Sequence, residues 1–353
     1  SKRGLRYDLT VPFARFVVMN QNDLAFPFKR YQIQPVWRAD RPQKGRYQEF
    51  YQCDVDVVGS KSLVYEAELV QIYFQVFERL GLPVDLRINN RKILTGLAEH
   101  LQYEDVAGLT IAIDKMDKIG LQGVLQELAG KGMNEDQVAQ AETLLTQTTL
   151  QDLHAHIGDN ETAALGFREL EEVYALLEAA GSAVPRFDIT LARGLDYYTG
   201  CIYEVNAEGV DMGSIGGGGR YDNLTEIFGL KNMSGVGVSF GAERIYDVME
   251  ELDLFPEALN QELQCLIIPL DEKSVVHGFG LLKQLRDSGI TTDLYPEAVK
   301  MKKSMKYANA RQVPYVLIIG EREREEGKYA LKNMESGEQE MLGVEKVVEM
   351  LLN

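Results

Sequence analysis

The spacing of hydrophobic and polar positions changes character along this chain. Thr10-Val11-Pro12 reads as a helix start, with Thr10 as cap and proline in the first turn, and about two turns should follow. Residues 29–38 and 46–57 are aromatic and β-branched runs of alternating polarity. The turn-rich Ala39-Asp-Arg-Pro-Gln-Lys-Gly45 separates them, so they predict a long antiparallel hairpin. Helical spacing over 62–80, with Glu66 and Glu68 near its start, ends at Gly81-Leu-Pro83, and a short strand over 84–89 follows.

From about residue 91 to 185 the pattern turns helical, rich in Leu, Ala, Gln and Glu, and reads as an insertion. Strand signals return over 187–193, 201–205 and 234–240, and an amphipathic helix follows over 242–252. The first domain is therefore interrupted and resumed. Beyond a linker-like stretch at 253–261, strands over 263–270, 291–295 and 315–319 alternate with helices over 274–285, 301–311 and 344–352. That alternation implies a small α/β domain on a largely parallel sheet. The segments are thus 1–90, 91–185, 186–255 and 262–353, and 45% hydrophobic content over 353 residues suffices for more than one core.

No run of about 18 apolar residues and no signal-peptide pattern occurs, which predicts a soluble cytoplasmic protein without membrane association. Cys53, Cys201 and Cys265 lie far apart without CxxC spacing, as free thiols do in a reducing compartment. The net charge of −17 argues against indiscriminate nucleic-acid binding. Its distribution qualifies that reading. Residues 1–60 carry a net +4, and Lys300-Met-Lys-Lys-Ser-Met-Lys306 with Arg311 forms a second basic concentration. Two basic patches on an acidic body suit one partner touched in two places, although a solvated surface also accounts for each.

In the first hairpin strand, alternation puts Gln32, Gln34 and Arg38 on one face and Tyr31, Ile33 and Trp37 on the other. Arg46, Gln52 and Asp56 share parity on the second strand, so a cation, an amide and a carboxylate project together. Arg38, Arg41, Lys44 and Arg46 crowd one loop, a composition suited to phosphate contacts. Asp8 and Thr10 beside it offer a carboxylate and a hydroxyl to an ammonium or imidazolium, or simply a helix cap. The glycine run 216–219 lacks the Lys-Ser/Thr of a phosphate loop, and Gly235-Val-Gly237 lacks the full dinucleotide fingerprint. Glycine there suits a strand running close beneath a flat ligand. His154 and His156 read as solvent-facing, and no metal site is assigned.

Three segments carry a more specific signal. Arg38-Ala-Asp-Arg-Pro-Gln-Lys-Gly-Arg46 resembles motif 2 of class II aminoacyl-tRNA synthetases in its histidyl form, and Arg193-Gly-Leu-Asp-Tyr-Tyr198 resembles the histidine-specific motif. Gly235-Val-Gly-Val-Ser-Phe-Gly-Ala-Glu-Arg244 resembles motif 3. With Tyr7-Asp-Leu-Thr10 ahead of them and a C-terminal segment similar to an anticodon-binding domain, the resemblance to histidyl-tRNA synthetases covers nearly the whole chain. It implies an α+β fold: an antiparallel class II catalytic sheet with a helical insertion, plus a C-terminal α/β anticodon-binding domain.

The resemblance also implies roles. Arg38 holds the α-phosphate of ATP, Arg46 shares its charge, and Arg244 clamps the distal phosphates or lies on the adenine. Asp8, Leu9, Thr10 and Gln52 surround the α-ammonium of histidine, while Asp56, Tyr197 and Tyr198 form the imidazole pocket. Arg193 stabilises charge developing on the α-phosphate, with Mg²⁺ accompanying ATP. Gln43, Lys44 and Gln48 meet the acceptor stem of the histidine tRNA, and Lys302, Lys303, Lys306 and Arg311 its anticodon side. Members of this family usually carry a motif 1 segment that supplies a homodimer interface, and the sequence here starts just ahead of Tyr7. The rival reading is a non-catalytic histidine-sensing regulatory paralogue, which generally loses the motif arginines and the anticodon domain. Arg38, Arg193 and Arg244 are retained.

Overall fold

The computed structural model describes residues 4–41, 43–192, 197–256 and 263–352, in two compact units, Ser1–Leu254 and Phe255–Asn353. The first unit begins with helix α1 (Thr10–Asn20), strands β1 (Phe28–Trp37) and β2 (Glu49–Val58), helix α2 (Val64–Arg79) and strand β3 (Val84–Asn90). Helices α3 (Arg91–His100), α4 (Val106–Ile113), α5 (Met116–Gly130), α6 (Glu135–Leu145), α7 (Leu150–Ile157) and α8 (Glu161–Ala179) follow. The chain returns through β4 (Arg186–Phe187), β5 (Cys201–Ala207), β6 (Gly216–Tyr221), β7 (Gly235–Gly241) and helix α9 (Ala242–Glu251).

These strands form one sheet in the order β1-β2-β7-β6-β5-β3-β4, antiparallel at every step except β3 to β4. Its two faces differ in chemistry. One is apolar and receives α2, whose Tyr73 and Phe77 pack on Phe240 with ring centroids 4.8 and 5.7 Å away. Phe77 is buried, and truncating such a side chain to alanine costs about 3–5 kcal/mol. The opposite face carries the polar residues of β1 and β2. Helix α1 and the 3-10 turn Leu224–Phe228 close one end of it through Phe13, Val17, Val58, Tyr221 and Leu224.

The helical run is held by side-chain caps that the sequence supplies at several starts: Asn90 accepts from Lys92 N, Asp105 from Gly108 N and Asn160 from Ala163 N. Each such cap is worth about 1 kcal/mol. In the second unit, β8 (Cys265–Pro269), α10 (Glu272–Asp287), β9 (Thr292–Leu294), α11 (Met301–Ala310) and β10 (Tyr315–Ile319) lead to α12 (Glu321–Glu326), β11 (Tyr329–Asn333), β12 (Gln339–Leu342) and α13 (Val344–Leu352). Strand β8 alternates between two cores: Cys265 and Ile267 face Leu281, Leu285 and Val347, whereas Leu266 and Ile268 face Ala308 and Val316.

Four local expectations change. Thr10 is the first residue of α1 rather than its cap; the first-turn N–H of Val11 is taken by Asp8 Oδ1 at 3.4 Å instead. Strand β2 begins at Glu49, not at residue 46, because Gly45 at φ 67° and the Gln43–Arg46 bridge close a tight turn that leaves the pleat. The strand expected over 187–193 stops at Phe187. Beyond it, Asp188 Oδ1 accepts from Thr190 N, and Asn89 Nδ2 donates to the carbonyls of Ile189 and Leu191, so side chains replace a ladder. The C-terminal sheet, ordered β12-β11-β10-β8-β9, is parallel only across β10, β8 and β9 and adds the antiparallel hairpin of β11 and β12.

Candidate active site

The register of β1, β2 and β7 lays out a polar lattice. Gln34 pairs with Gln52, Gln32 with Asp54, and Arg30 with Asp56, while Asp54 and Asp56 pair on their other side with Ser239 and Gly237. Because side chains of paired residues share a face, all of these project on the side opposite α2. Gly237 is needed where it stands: a Cβ there would sit 2.0 Å from Asp56 Oδ1.

Arg30 organises the near end. Its Nη1 donates to Gln32 Oε1 at 2.7 Å and its Nη2 to the Leu9 carbonyl at 3.0 Å, with the guanidinium 4.3 Å from the Phe13 ring centroid. Arg30 Nη2 also lies 2.9 Å from Asp56 Oδ2, a charge contact that does not align as a hydrogen bond. Tyr221 OH donates to Asp56 Oδ1 at 2.7 Å, and Gln52 Nε2 donates to Ser239 Oγ at 3.0 Å. Ser239 in turn hydrogen-bonds Asp54.

The lattice is incompletely satisfied. Five buried side-chain nitrogens and oxygens lack a hydrogen bond among the described residues, and four lie here: Arg30 Nε, Gln52 Oε1, Asp54 Oδ1 and Asp56 Oδ2. Leaving such atoms unpaired costs about 1–3 kcal/mol each, so their clustering marks a surface built for a ligand. Burial pushes Asp54 up to about 7, with Asp56 adding to the rise while Ser239 and Arg30 oppose it. Asp56 rises to about 6 for the same first reason, held back by Arg30 and Tyr221. Asp8 is also raised by burial, against the Val11 N–H and the charges of Arg38 and Arg30.

Around this lattice stand several of the residues singled out from sequence. Asp8 and Thr10 border it, and Tyr197 hydrogen-bonds Thr10 while packing edge-on to Tyr198 at 4.8 Å and Tyr221 at 6.2 Å. Leu9 is fully buried, and its carbonyl is the acceptor for Arg30. Arg38 continues the edge beyond β1, its guanidinium between the rings of Tyr7 and Phe50 at 4.5 and 5.0 Å. Arg244 donates to the carbonyls of Gly45 and Ser214, which ties α9 to the loop between β1 and β2. On that loop Gln43, Lys44, Arg46 and Gln48 are placed, and Lys44 pairs with Glu251 at 2.7 Å. Arg193 lies outside the described residues.

Lys302, Lys303 and Lys306 lie on α11 of the second unit, followed by Arg311, whose guanidinium lies 5.9 Å from the Tyr307 ring centroid. Sequence reasoning overlooked Arg30, Asp54, Ser239 and Tyr221. The same two-residue alternation that selected Gln32, Gln52 and Asp56 includes Arg30 and Asp54, whereas Ser239 and Tyr221 join only through the register.

Comparison with known proteins places this arrangement. The histidyl-tRNA synthetase family profile matches residues 2–245, and an anticodon-binding-domain profile matches residues 264–353. The chain belongs to the histidyl-tRNA synthetase family. A histidine–tRNA ligase of Bacteroides fragilis strain YCH46 is 52% identical over 98% of this chain and 78% of its own length. One of Cytophaga hutchinsonii is 51% identical over 100% of this chain and 80% of its own length. The crystal structure of histidyl-tRNA synthetase from Nostoc sp. PCC 7120 superposes with a TM-score of 0.83 at 31% identity, covering 98% of this chain and 83% of that one. The family's fold, an antiparallel catalytic sheet with a helical insertion and a C-terminal α/β anticodon-binding domain, is the one described above.

Proposed function

We propose that this protein is a histidine–tRNA ligase that works in two steps at the lattice of β1, β2 and β7. In the first, the histidine carboxylate attacks the α-phosphorus of ATP, forming histidyl-adenylate as the bond to pyrophosphate breaks. In the second, a hydroxyl at the tRNA 3′ end attacks the activated carbonyl and AMP leaves. The observation that carries this reading is the cluster of four buried polar atoms without a hydrogen bond among the described residues, on a face bordered by Tyr197, Asp8 and Arg38. A small ligand rich in polar groups suits it. Apolar isosteres are rejected there by as much as about 10⁴-fold, because they leave buried groups without partners.

Within this reading Asp8, Thr10 and Gln52 receive the α-ammonium, while Asp56, Tyr197 and Tyr198 line the imidazole pocket. Arg38, already stacked and aimed from the strand edge, meets the α-phosphate, and Arg244 and Arg46 serve the remaining phosphates. Arg193 stabilises the charge that grows on the α-phosphate during attack. Mg²⁺ accompanies ATP as part of the nucleotide substrate, carried on its phosphates. Gln43, Lys44 and Gln48 face the acceptor stem; Lys302, Lys303, Lys306 and Arg311 serve the anticodon end.

A homodimer is part of the proposal: Tyr31, Ile33 and Tyr51 are 79, 58 and 48% exposed on the outer hairpin, an apolar face suited to a second copy. Free Cys53, Cys201 and Cys265 fit a reducing cytoplasm, and no helix among the described residues is long and apolar enough to cross a membrane. The regulatory paralogue is disfavoured by the ligase relatives at about 50% identity and by the matched anticodon-binding domain. Histidine-dependent ATP–pyrophosphate exchange followed by charging of histidine tRNA tests the reading. Histidine binding with neither activity would return the protein to the sensor class.

A further inference from the structure

Gln52 and Asp54 are successive residues on one face of β2, so their Cα atoms are ~7 Å apart. Both reach Ser239 of the neighbouring strand: Gln52 Nε2 donates to its oxygen, and Ser239 hydrogen-bonds Asp54. Each side chain has one polar atom occupied and the other, Gln52 Oε1 and Asp54 Oδ1, buried with no donor among the described residues. Asp54 is only 2% exposed, and no salt bridge reaches it among the described residues. Of its carboxylate neighbours, Asp56 has Tyr221 and the charge of Arg30, and Asp8, which borders the same ammonium position, has the Val11 N–H on one oxygen.

Two buried acceptor oxygens on successive same-face positions, one of them on a carboxylate without a salt bridge among the described residues, call for a compact cation with several diverging donors. A primary ammonium, with three N–H groups and no acceptor, meets that requirement. A neutral imidazole brings a single N–H and no charge. The charges facing Asp54 are Asp56 on its own strand, Arg30 on β1 and Asp8 ahead of α1, two negative and one positive. With Asp54 itself, the group is short of positive charge. We propose that Asp54 binds the α-ammonium of the amino-acid substrate together with Gln52, and so makes the α-amino group a condition of recognition. This rests on the histidine-ligase reading above.

The test replaces Asp54 by Asn, which keeps the shape and removes the charge, and compares two ligands. L-histidine is followed by the KM of ATP–pyrophosphate exchange. 3-(Imidazol-4-yl)propionate, the same molecule without its amino group, is followed as a competitive inhibitor. Asp54→Asn should raise the histidine KM by roughly ten- to a hundredfold, the scale for losing a charge-assisted hydrogen bond, with the ATP KM and the inhibitor Ki held within about twofold. Asp54→Ser should behave alike, and calorimetric titration of histidine onto either folded variant gives the same comparison without turnover. Equal weakening of both ligands, or no weakening of histidine, overturns the assignment while leaving the ligase reading intact. A wild-type protein without histidine-dependent exchange defeats that reading and this one together.

Discussion

The central sheet buries charge on both faces, and the two clusters are opposites. On the α2 side, Arg220 and Glu66 are 4 and 0% exposed. There Arg220 Nε donates to Glu66 at 2.7 Å, Nη1 to Ser60 O and Ser234 Oγ at 2.7 Å each, and Nη2 to Ser62 O at 3.2 Å and to Glu66. Every guanidinium nitrogen has a partner inside the protein. On the other side Arg30, Gln52, Asp54 and Asp56 retain four atoms with no hydrogen bond among the described residues, even though Arg30 and Asp56 are in charge contact. A buried polar network that is complete holds its elements together; one left open exposes its unmet bonds to whatever binds. Burial alone therefore does not separate the two charge clusters; the pairing of their charged side chains does, with Tyr203 OH the one buried polar side-chain atom on the α2 side among the described residues that lacks a hydrogen bond.

The sharpest way to break this contrast is Glu66→Ala. It strands a buried guanidinium, so it should cost about 3–5 kcal/mol of stability in urea unfolding, with the histidine and ATP KM values of the surviving folded protein near wild type. A loss confined to substrate KM would mean that the closed cluster is part of the site after all. Arg193→Ala tests the proposed chemistry itself. It should slow histidine-dependent pyrophosphate exchange by roughly 10² or more while leaving the unfolding midpoint unchanged. Unchanged exchange would remove Arg193 from the chemistry.

The contrast was only half legible in the sequence. Alternation along residues 29–38 and 46–57 exposes a polar face because strands have a period of two, and it grouped Gln52 with Asp56 before the motif resemblance gave them roles. What alternation cannot give is the neighbour across the ladder: Ser239 and Tyr221 come from β7 and β6, far along the chain, and only register brings them to Asp54 and Asp56. The Arg220–Glu66 pair is hidden for the same reason, since nothing local links a β6 arginine to an α2 glutamate. The strand misread beyond Phe187 has both sources: Asp188 satisfies the backbone from within the segment, Asn89 reaches it from far upstream, and together they override apolar alternation. The helical insertion was visible as a block because composition and helical periodicity are local properties, whereas its individual caps were not read. The hairpin of β11 and β12 was not visible, its second strand being largely exposed and polar.

The smallest effect, and the most direct reading of an open cluster, is the pH dependence of stability without substrates. Asp54 holds its proton to about 7 in the folded protein but only to about 4 when unfolded. Below about pH 4 both states carry it and ionisation has no cost. Between about 4 and 7 the unfolded chain releases the proton and the folded one retains it, so stability falls as pH rises, by at most about 1.4 kcal/mol per pH unit for one proton. Above about 7 both are ionised and the penalty is constant. An amide cannot ionise, so the stability of the Asp54→Asn variant relative to wild type should climb from about pH 4 to about 7 and then level off. Asp56, raised by the same burial, and the charges of Asp8 and Arg30 remain in both proteins and largely cancel in the difference. Saturating histidine should shrink the climb, because an ammonium against Asp54 restores the low affinity for protons that burial took away. A stability difference that ignores pH would mean the carboxylate has a partner that the geometry does not reveal, and the open face would then be as closed as the one beneath α2.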